Sequence, residues 1–233
     1  WMVSKISELG LDPMDRGGAY LEPFIFAATA VAPPIELKVE GEAVEYGTQF
    51  VDLNYTGTGA VEAEVVFVGY GISAPDRGWD DYDGVDVKGK VVLALRGAPA
   101  VRDSEFAHER QIGAKSSVAA DRGAVGFLVA EGEKAVQGTI QAKFHREKLP
   151  AVWVAGAVAD RMLAKRSRTL ADLKASRDKG EPGRSFGTGV TVRLEVNGKH
   201  YPRVQANNVI GGIRGRDPDL RNEVGRASCR ERV

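Results

Sequence analysis

Cysteine occurs once in 233 residues, at Cys229, so the chain has no means of building an internal disulfide framework. Histidine occurs three times, at His108, His145 and His200. None of the three sits in an H-E-x-x-H or H-x-H pattern, or four residues from a carboxylate, so little material is present for a metal centre. No apolar run approaches the ~18–20 residues that a membrane-spanning helix requires. Excess charge is also missing: 32 Lys and Arg balance 32 Asp and Glu. That balance excludes a strongly basic nucleic-acid or membrane-surface binder as the default reading. What remains is 43% apolar and 27% charged residues with 28 glycines, the composition of a globular protein rich in turns. The length allows one large domain or two small ones.

Both ends of the sequence look cut. Met2, Ile6 and Leu9 recur at helical spacing among polar residues, which predicts an amphipathic helix stopped by Gly10, with Pro13 just beyond. Residues 225–233, Gly-Arg-Ala-Ser-Cys-Arg-Glu-Arg-Val, follow neither helical nor strand periodicity. They resemble a translated sequencing-library adapter, the alternative being a solvated basic tail.

Between these ends the pattern is mixed. Residues 20–31 read as a strand ended by Pro33-Pro34. Ile35, Leu37 and Val39 alternate with charged residues, and Gly41-Glu42 predicts a hairpin turn into residues 43–46. Residues 63–70, 90–95, 124–130 and 149–155 read as apolar strands, with a polar loop over 71–84 and a helix over 106–120 closed by Gly123. Strand 90–95, this helix and strand 124–130 form a βαβ-like unit. Short helices are expected at 158–164 and 170–175, the second capped by Thr169. Residues 190–196 alternate as an amphipathic strand, Asn197-Gly198 signals a type I′ turn, and 204–213 returns as a strand.

Candidate chemistry is sparse. Asp80, Asp81 and Asp83 flank Tyr82 between two glycines. Clustered carboxylates can hold a hard cation, but the spacing is not that of an EF-hand, and aspartates also stabilise turns through their own backbone. Gly69-Tyr70-Gly71 follows a strand but lacks the third glycine of a dinucleotide loop, and Pro75 follows. Serines stand in no G-x-S-x-G elbow, and Cys229 lies in the suspect tail. Arg102, His108, Glu109 and Arg110 read as a solvated loop and helix start. No catalytic, cofactor-binding or metal-ligating residue is assigned.

Two segments are more specific than any of these motifs. Val65-Val66-Phe67-Val68-Gly69-Tyr70-Gly71-Ile72, with Asp80-Asp81-Tyr82 and residues 85–93, resembles the protease-associated (PA) domain inserted in bacterial di-zinc aminopeptidases. Residues 204–215, followed by Asp217-Pro218-Asp219-Leu220, are similar to the strand and turn that lead into the peptidase domain of that family. The family also includes relatives of glutamate carboxypeptidase and the transferrin receptor. Residues 113–129 resemble the inserted domain's helix and strand, and residues 9–13 and 20–24 the start of the peptidase domain.

The resemblance implies a mixed α/β fold. A PA-type β-sandwich or barrel-like domain with flanking helices would occupy 35–188. An incomplete α/β peptidase domain would contribute its first helix and edge strands at 1–34 and 189–223, with a non-native tail at 224–233. In the family, a G-x-H-x-D segment follows the strand after such an Asn-Glu pair; here Asn222-Glu223 runs directly into the tail. No functional residue of the family therefore finds a counterpart. The resemblance implies two zinc ions and a peptide substrate in a full-length parent, periplasmic or extracellular, with no cofactor in this chain and no nucleic-acid or membrane partner. A PA binding module, as in subtilisin-like proteases and sorting receptors, and a catalytically silent family member are the alternatives. Residues 204–220 argue against the first.

Overall fold

A computed structural model describes residues 1–14, 17–53, 56–131, 149–180 and 183–213. The chain opens with α1 (Met2–Glu8), β1 (Asp12–Pro13), β2 (Leu21–Val39), β3 (Glu42–Ala43) and β4 (Phe50–Asp52). Then come β5 (Gly59–Phe67), β6 (Ser73–Ala74), β7 (Trp79–Asp80), β8 (Val91–Leu95), α2 (Ile112–Asp121), β9 (Gly126–Glu131) and β10 (Ala151–Ala155). Last are α3 (Gly156–Leu163), α4 (Leu170–Arg177), β11 (Phe186–Val209) and β12 (Gly211–Gly212). The chain divides into two compact units, Ala27–Tyr201 and Trp1–Phe26 together with the residues from Pro202 onward.

The larger unit is built on a mixed sheet of order β3-β2-β11-β5-β8-β9-β10-β4. β5, β8, β9 and β10 run parallel, whereas β11 meets β5 and β4 meets β10 antiparallel. Parallel neighbours need crossovers that cover the sheet faces, so a central parallel strand is apolar on both sides. β8 shows this: all five of its residues are buried. Because side chains alternate along a strand, Val91, Leu93 and Leu95 face one apolar cluster with Val158, Met162 and Leu163 of α3. Val92 and Ala94 face a second, with Ala119 of α2. Phe127 and Val129 of β9, and Val66 of β5, join this second cluster, while Leu128, Val65 and Phe67 join the first. The expected βαβ unit is thus β8-α2-β9. Among the described residues no helix is long and apolar enough to cross a membrane.

Several local expectations are met. Lys38 pairs with Ala43 and Val39 with Glu42, closing a hairpin whose turn residues Glu40 and Gly41 both have positive φ (51° and 87°). The turn therefore sits one residue earlier than the sequence suggested. Thr169 caps α4 by accepting a bond from the backbone N–H of Asp172 at 3.1 Å. In the smaller unit, Gly10 (φ 72°) ends α1, with Leu11 N–H donating to Ile6 O at 3.2 Å and Gly10 N–H to Ser7 O at 3.0 Å. Asp12 and Pro13 pair with Gly212 and Gly211, and the Tyr20 hydroxyl donates to Leu11 O at 2.6 Å.

Other expectations are corrected. β2 continues through Pro33-Pro34, because the fixed φ of proline suits extended backbone and costs only a donor. β11 continues through Asn197-Gly198, neither of which has the positive φ that a type I′ turn demands. Residues 190–196 fold against β5 instead, with Thr191 opposite Glu64 and Val196 opposite Gly59. The helix expected from residue 106 begins at Ile112, after 3₁₀ turns over Ala100–Phe106. The polar loop 71–84 contains the short β6–β7 pair. β2 spans residues 34 and 35, and β11 carries a register irregularity between Gly187 and Thr191.

Leu93 is fully buried between β5 and β9, so Leu93→Ala is expected to cost about 2–5 kcal/mol in urea unfolding. Val101→Ala, at 66% exposure, is expected to change stability by less than about 0.5 kcal/mol. Equal effects would contradict this placement of the core.

Candidate functional site

The turn that leaves β5 organises the polar interior of the larger unit. Gly69 and Gly71 adopt left-handed conformations (φ 60° and 69°). Leu95 N–H donates to Gly69 O at 2.7 Å, and Gly71 N–H to Val68 O at 2.9 Å. The turn buries Tyr70, whose hydroxyl donates to Asp178 Oδ1 at 2.5 Å. Burial first, then this anionic partner, push the Tyr70 hydroxyl far above its ordinary pKa.

Beside the turn, Asp81 is held by the backbone of Ile72. Asp81 N–H donates to Ile72 O at 2.8 Å, and Ile72 N–H donates to Asp81 Oδ2 at 3.0 Å. Asp81 Oδ1 accepts from Arg177 Nη1 at 2.6 Å, with the side chains 0% and 2% exposed. Burial pushes the Asp81 carboxyl up and the Arg177 guanidinium down, and their contact opposes both shifts. A guanidinium stays protonated, so this is a buried ion pair. Arg177 is also the last residue of α4, where the helix dipole favours a cation. Space around it is scant: a Cβ on Gly69 would stand 2.5 Å from Arg177 Nη1, and one on Gly183 would stand 2.7 Å from its Nε. Ser185 closes the cluster by donating its hydroxyl to Asp81 O.

Lys115 is a second buried charge, on α2. Its Nζ donates to Leu95 O at 2.9 Å and also to Gly97 O, so it caps the end of β8. Desolvation lowers its pKa to about 7.

Among the described residues, two open grooves lie at the surface. One, of about 660 Å³, runs along α4 and is lined by Arg166, Arg168, Arg184, Leu173, Phe186 and the buried Arg177 among others. The other, of about 670 Å³, contains Trp79, Asp80 and Asp83 and shares Gly84, Gly183 and Arg184 with the first. A smaller hollow of about 300 Å³ includes His108, Glu109, Lys115 and Asp121.

The aspartate run does not converge on one point. Asp81 faces Arg177, Asp80 lies 3.6 Å from Arg122 and accepts from Tyr82 N–H at 3.1 Å, and Asp83 is exposed. The turn reading describes this segment: Asp83 N–H donates to Asp80 O at 3.3 Å. Gly69-Tyr70-Gly71 likewise serves a turn. The stretch read as solvated is partly a network. Arg102 packs over Phe106 at 5.0 Å, Glu109 pairs with Arg77, and Arg110 pairs with Asp103. His108 is exposed, His200 falls within β11, and His145 and Cys229 lie outside the described residues. Among the described residues, no three His, Cys, Asp or Glu side chains gather as metal ligands. The sequence reading missed Arg177, Lys115 and Arg184. No local signal marks them, since Arg177 lies 96 residues from Asp81.

Residues 58–162, from β5 to α3, match the PA domain family. The chain therefore carries a PA domain, as its β5 to β8 segment suggested. Among solved structures, an aminopeptidase from Aneurinibacillus sp. strain AM-1 shares this fold, with a TM-score of 0.56 at 20% identity. That alignment covers 88% of this chain and 39% of the other. A peptidase M28 precursor from Shewanella amazonensis SB2B is also similar (TM-score 0.47, 14% identity, 89% of this chain and 42% of that one). So is BSAP, a zinc aminopeptidase from Bacillus subtilis (TM-score 0.39, 15% identity, 90% and 39%). The chain thus spans about two fifths of the length of these structures. No curated protein matches it.

Removing one partner of the buried pair leaves the other charge unpaired in a dry interior. Asp81→Ala is expected to lose about 3–5 kcal/mol, and adding Arg177→Met to that variant is expected to restore part of the loss in urea unfolding. Strictly additive losses would count against the coupling.

For Lys115, burial holds the folded pKa at about 7, below the ordinary lysine value of 10.5, so the folded state binds fewer protons between about pH 7 and 10.5. Its contribution to stability therefore rises with pH through that window. The stability of the wild type relative to Lys115→Met is expected to increase from pH 7 to pH 9, measured by urea midpoints. A flat difference would contradict a buried, depressed amine.

Proposed function

We propose that this chain is a non-catalytic portion of an aminopeptidase-type metallopeptidase, and that its PA domain shapes access of peptide substrates to the catalytic centre of the parent. The observation that supports this most is the pairing of an apolar core, among the described residues, with polar groups committed to structure. Asp81, Arg177, Tyr70, Ser185 and Lys115 all bind one another, other interior groups or backbone carbonyls. None is positioned as a nucleophile with a neighbouring base. Recognition then falls to the surface, where the two grooves lie.

Among the described residues the donor set does not fit a di-zinc centre. Such a centre needs several His and carboxylate ligands converging with support behind them. Here His108 is exposed and the Asp80 and Asp81 carboxylates face guanidinium groups. No catalytic step is derived for this chain, and two zinc ions are assigned to the parent. The fold shared with the Aneurinibacillus aminopeptidase supports the parent's class, and the family resemblance supports an exported location. In this reading the inserted domain occupies about 35–188, flanked by peptidase-domain segments, with residues 224–233 non-native.

The purified 233-residue chain, supplied with zinc, is expected to show no turnover of an aminoacyl p-nitroanilide. Chelator-sensitive turnover would overturn the assignment. The encoding locus read past residue 223 is expected to contain a Gly-x-His-x-Asp segment within roughly 5–10 residues, and a continuation lacking it would remove the peptidase parent.

A further inference from the structure

We propose that the groove along α4 binds an acidic peptide, with Arg168 and Arg184 as the cations that anchor its carboxylates. Four arginines, Arg166, Arg168, Arg177 and Arg184, line this groove against a single carboxylate, Asp172. Asp172 is already engaged, accepting from the Thr169 hydroxyl at 2.7 Å. Arg177 is neutralised by Asp81, yet its Nη2 is buried without a hydrogen bond in the groove wall. The Nε of Arg166 donates to Gly187 O at 2.8 Å, which fixes that side chain at the rim. Arg168 and Arg184 are exposed and make no ion pair or hydrogen bond with the described residues. Among the described residues the groove therefore presents net positive charge, with Asp172 its one lining carboxylate.

The chemistry of the occupant follows from the walls. Guanidinium groups match planar carboxylates through two parallel hydrogen bonds. Leu173, Phe186 and Val85 add partly buried apolar surface, which a free inorganic anion would leave unused. The volume, about 660 Å³, is that of a site for a small organic ligand or short peptide. A nucleic acid fits poorly, because the adjoining groove turns acidic at Asp80 and Asp83 and would repel a continuing polyanion. A peptide with glutamates in the first groove, and an amine or lysine toward the second, meets complementary charge at both ends.

The inference rests on the proposed role of the PA domain in substrate access, but binding is read without turnover, so its failure is distinguishable from failure of that role. The experiment is calorimetric titration of the full chain with an N-acetylated hexapeptide alternating glutamate and leucine, against the same peptide with glutamine. The glutamate peptide is expected to bind about tenfold more tightly or better, an advantage that shrinks as salt rises from about 50 to about 500 mM. Arg168→Glu and Arg184→Glu are each expected to weaken it by about fivefold or more. Arg193→Glu, outside the groove on β11, is expected to leave it unchanged. Equal affinity for the two peptides, or indifference to both groove substitutions, would overturn the proposal. So would competition by inorganic phosphate at concentrations equal to the peptide, which would assign the groove to free anions.

Discussion

Two opposite charges, Asp81 and Arg177, meet at 2.6 Å in a largely apolar interior. Desolvating such a pair costs several kcal/mol per ion, so the contact is tolerated only where the geometry is tightly defined. The surroundings supply that definition. Ile72 fixes the carboxylate from one side, Ser185 holds the backbone carbonyl of Asp81, and glycines at 69 and 183 leave room for the guanidinium. One ion pair thereby ties together the turn after β5, the β6–β7 pair, the end of α4 and the approach to β11. The relative placement of these four segments also determines the walls of both grooves.

The interior and the surface divide the work. The sheet is dry on both faces of β8, and most buried polar groups are spent on each other or on the backbone. Even Lys115, an amine in an apolar helix face, serves to hold the carbonyls of Leu95 and Gly97. Among the described residues, the surface carries a basic groove joined to an acidic one, and on the proposed reading the domain acts by what it admits or holds.

Short-range physics was legible in the sequence, and long-range physics was not. The continuous apolar run 91–95 announced a doubly buried strand, and Thr169 before Leu170 announced a capped helix. Both depend on residues within a turn or a strand length. Asn197-Gly198 misled, because a local turn preference yields to a strand that already holds eight registered partners on β5. Pro33-Pro34 misled similarly: a missing donor does not end a strand whose backbone is already extended. Asp81 stood out as part of an acidic run, but its function as the partner of a buried arginine is a property of the fold. No window of sequence that contains Asp81 contains Arg177.

That separation has a consequence for the birth of the molecule. The strand β8 and the carboxylate of Asp81 leave the ribosome while Arg177 is still 96 residues from Asp81 along an unfinished chain. At roughly 5–20 residues per second the wait is about 5–20 s, far longer than hydrophobic collapse. During that interval the β5–β8–β9 core is able to assemble around an uncompensated aspartate, one that water keeps solvated only while the core stays open. Closing the interior around Asp81 as an ion pair therefore requires the last turn of α4, which is made late in synthesis.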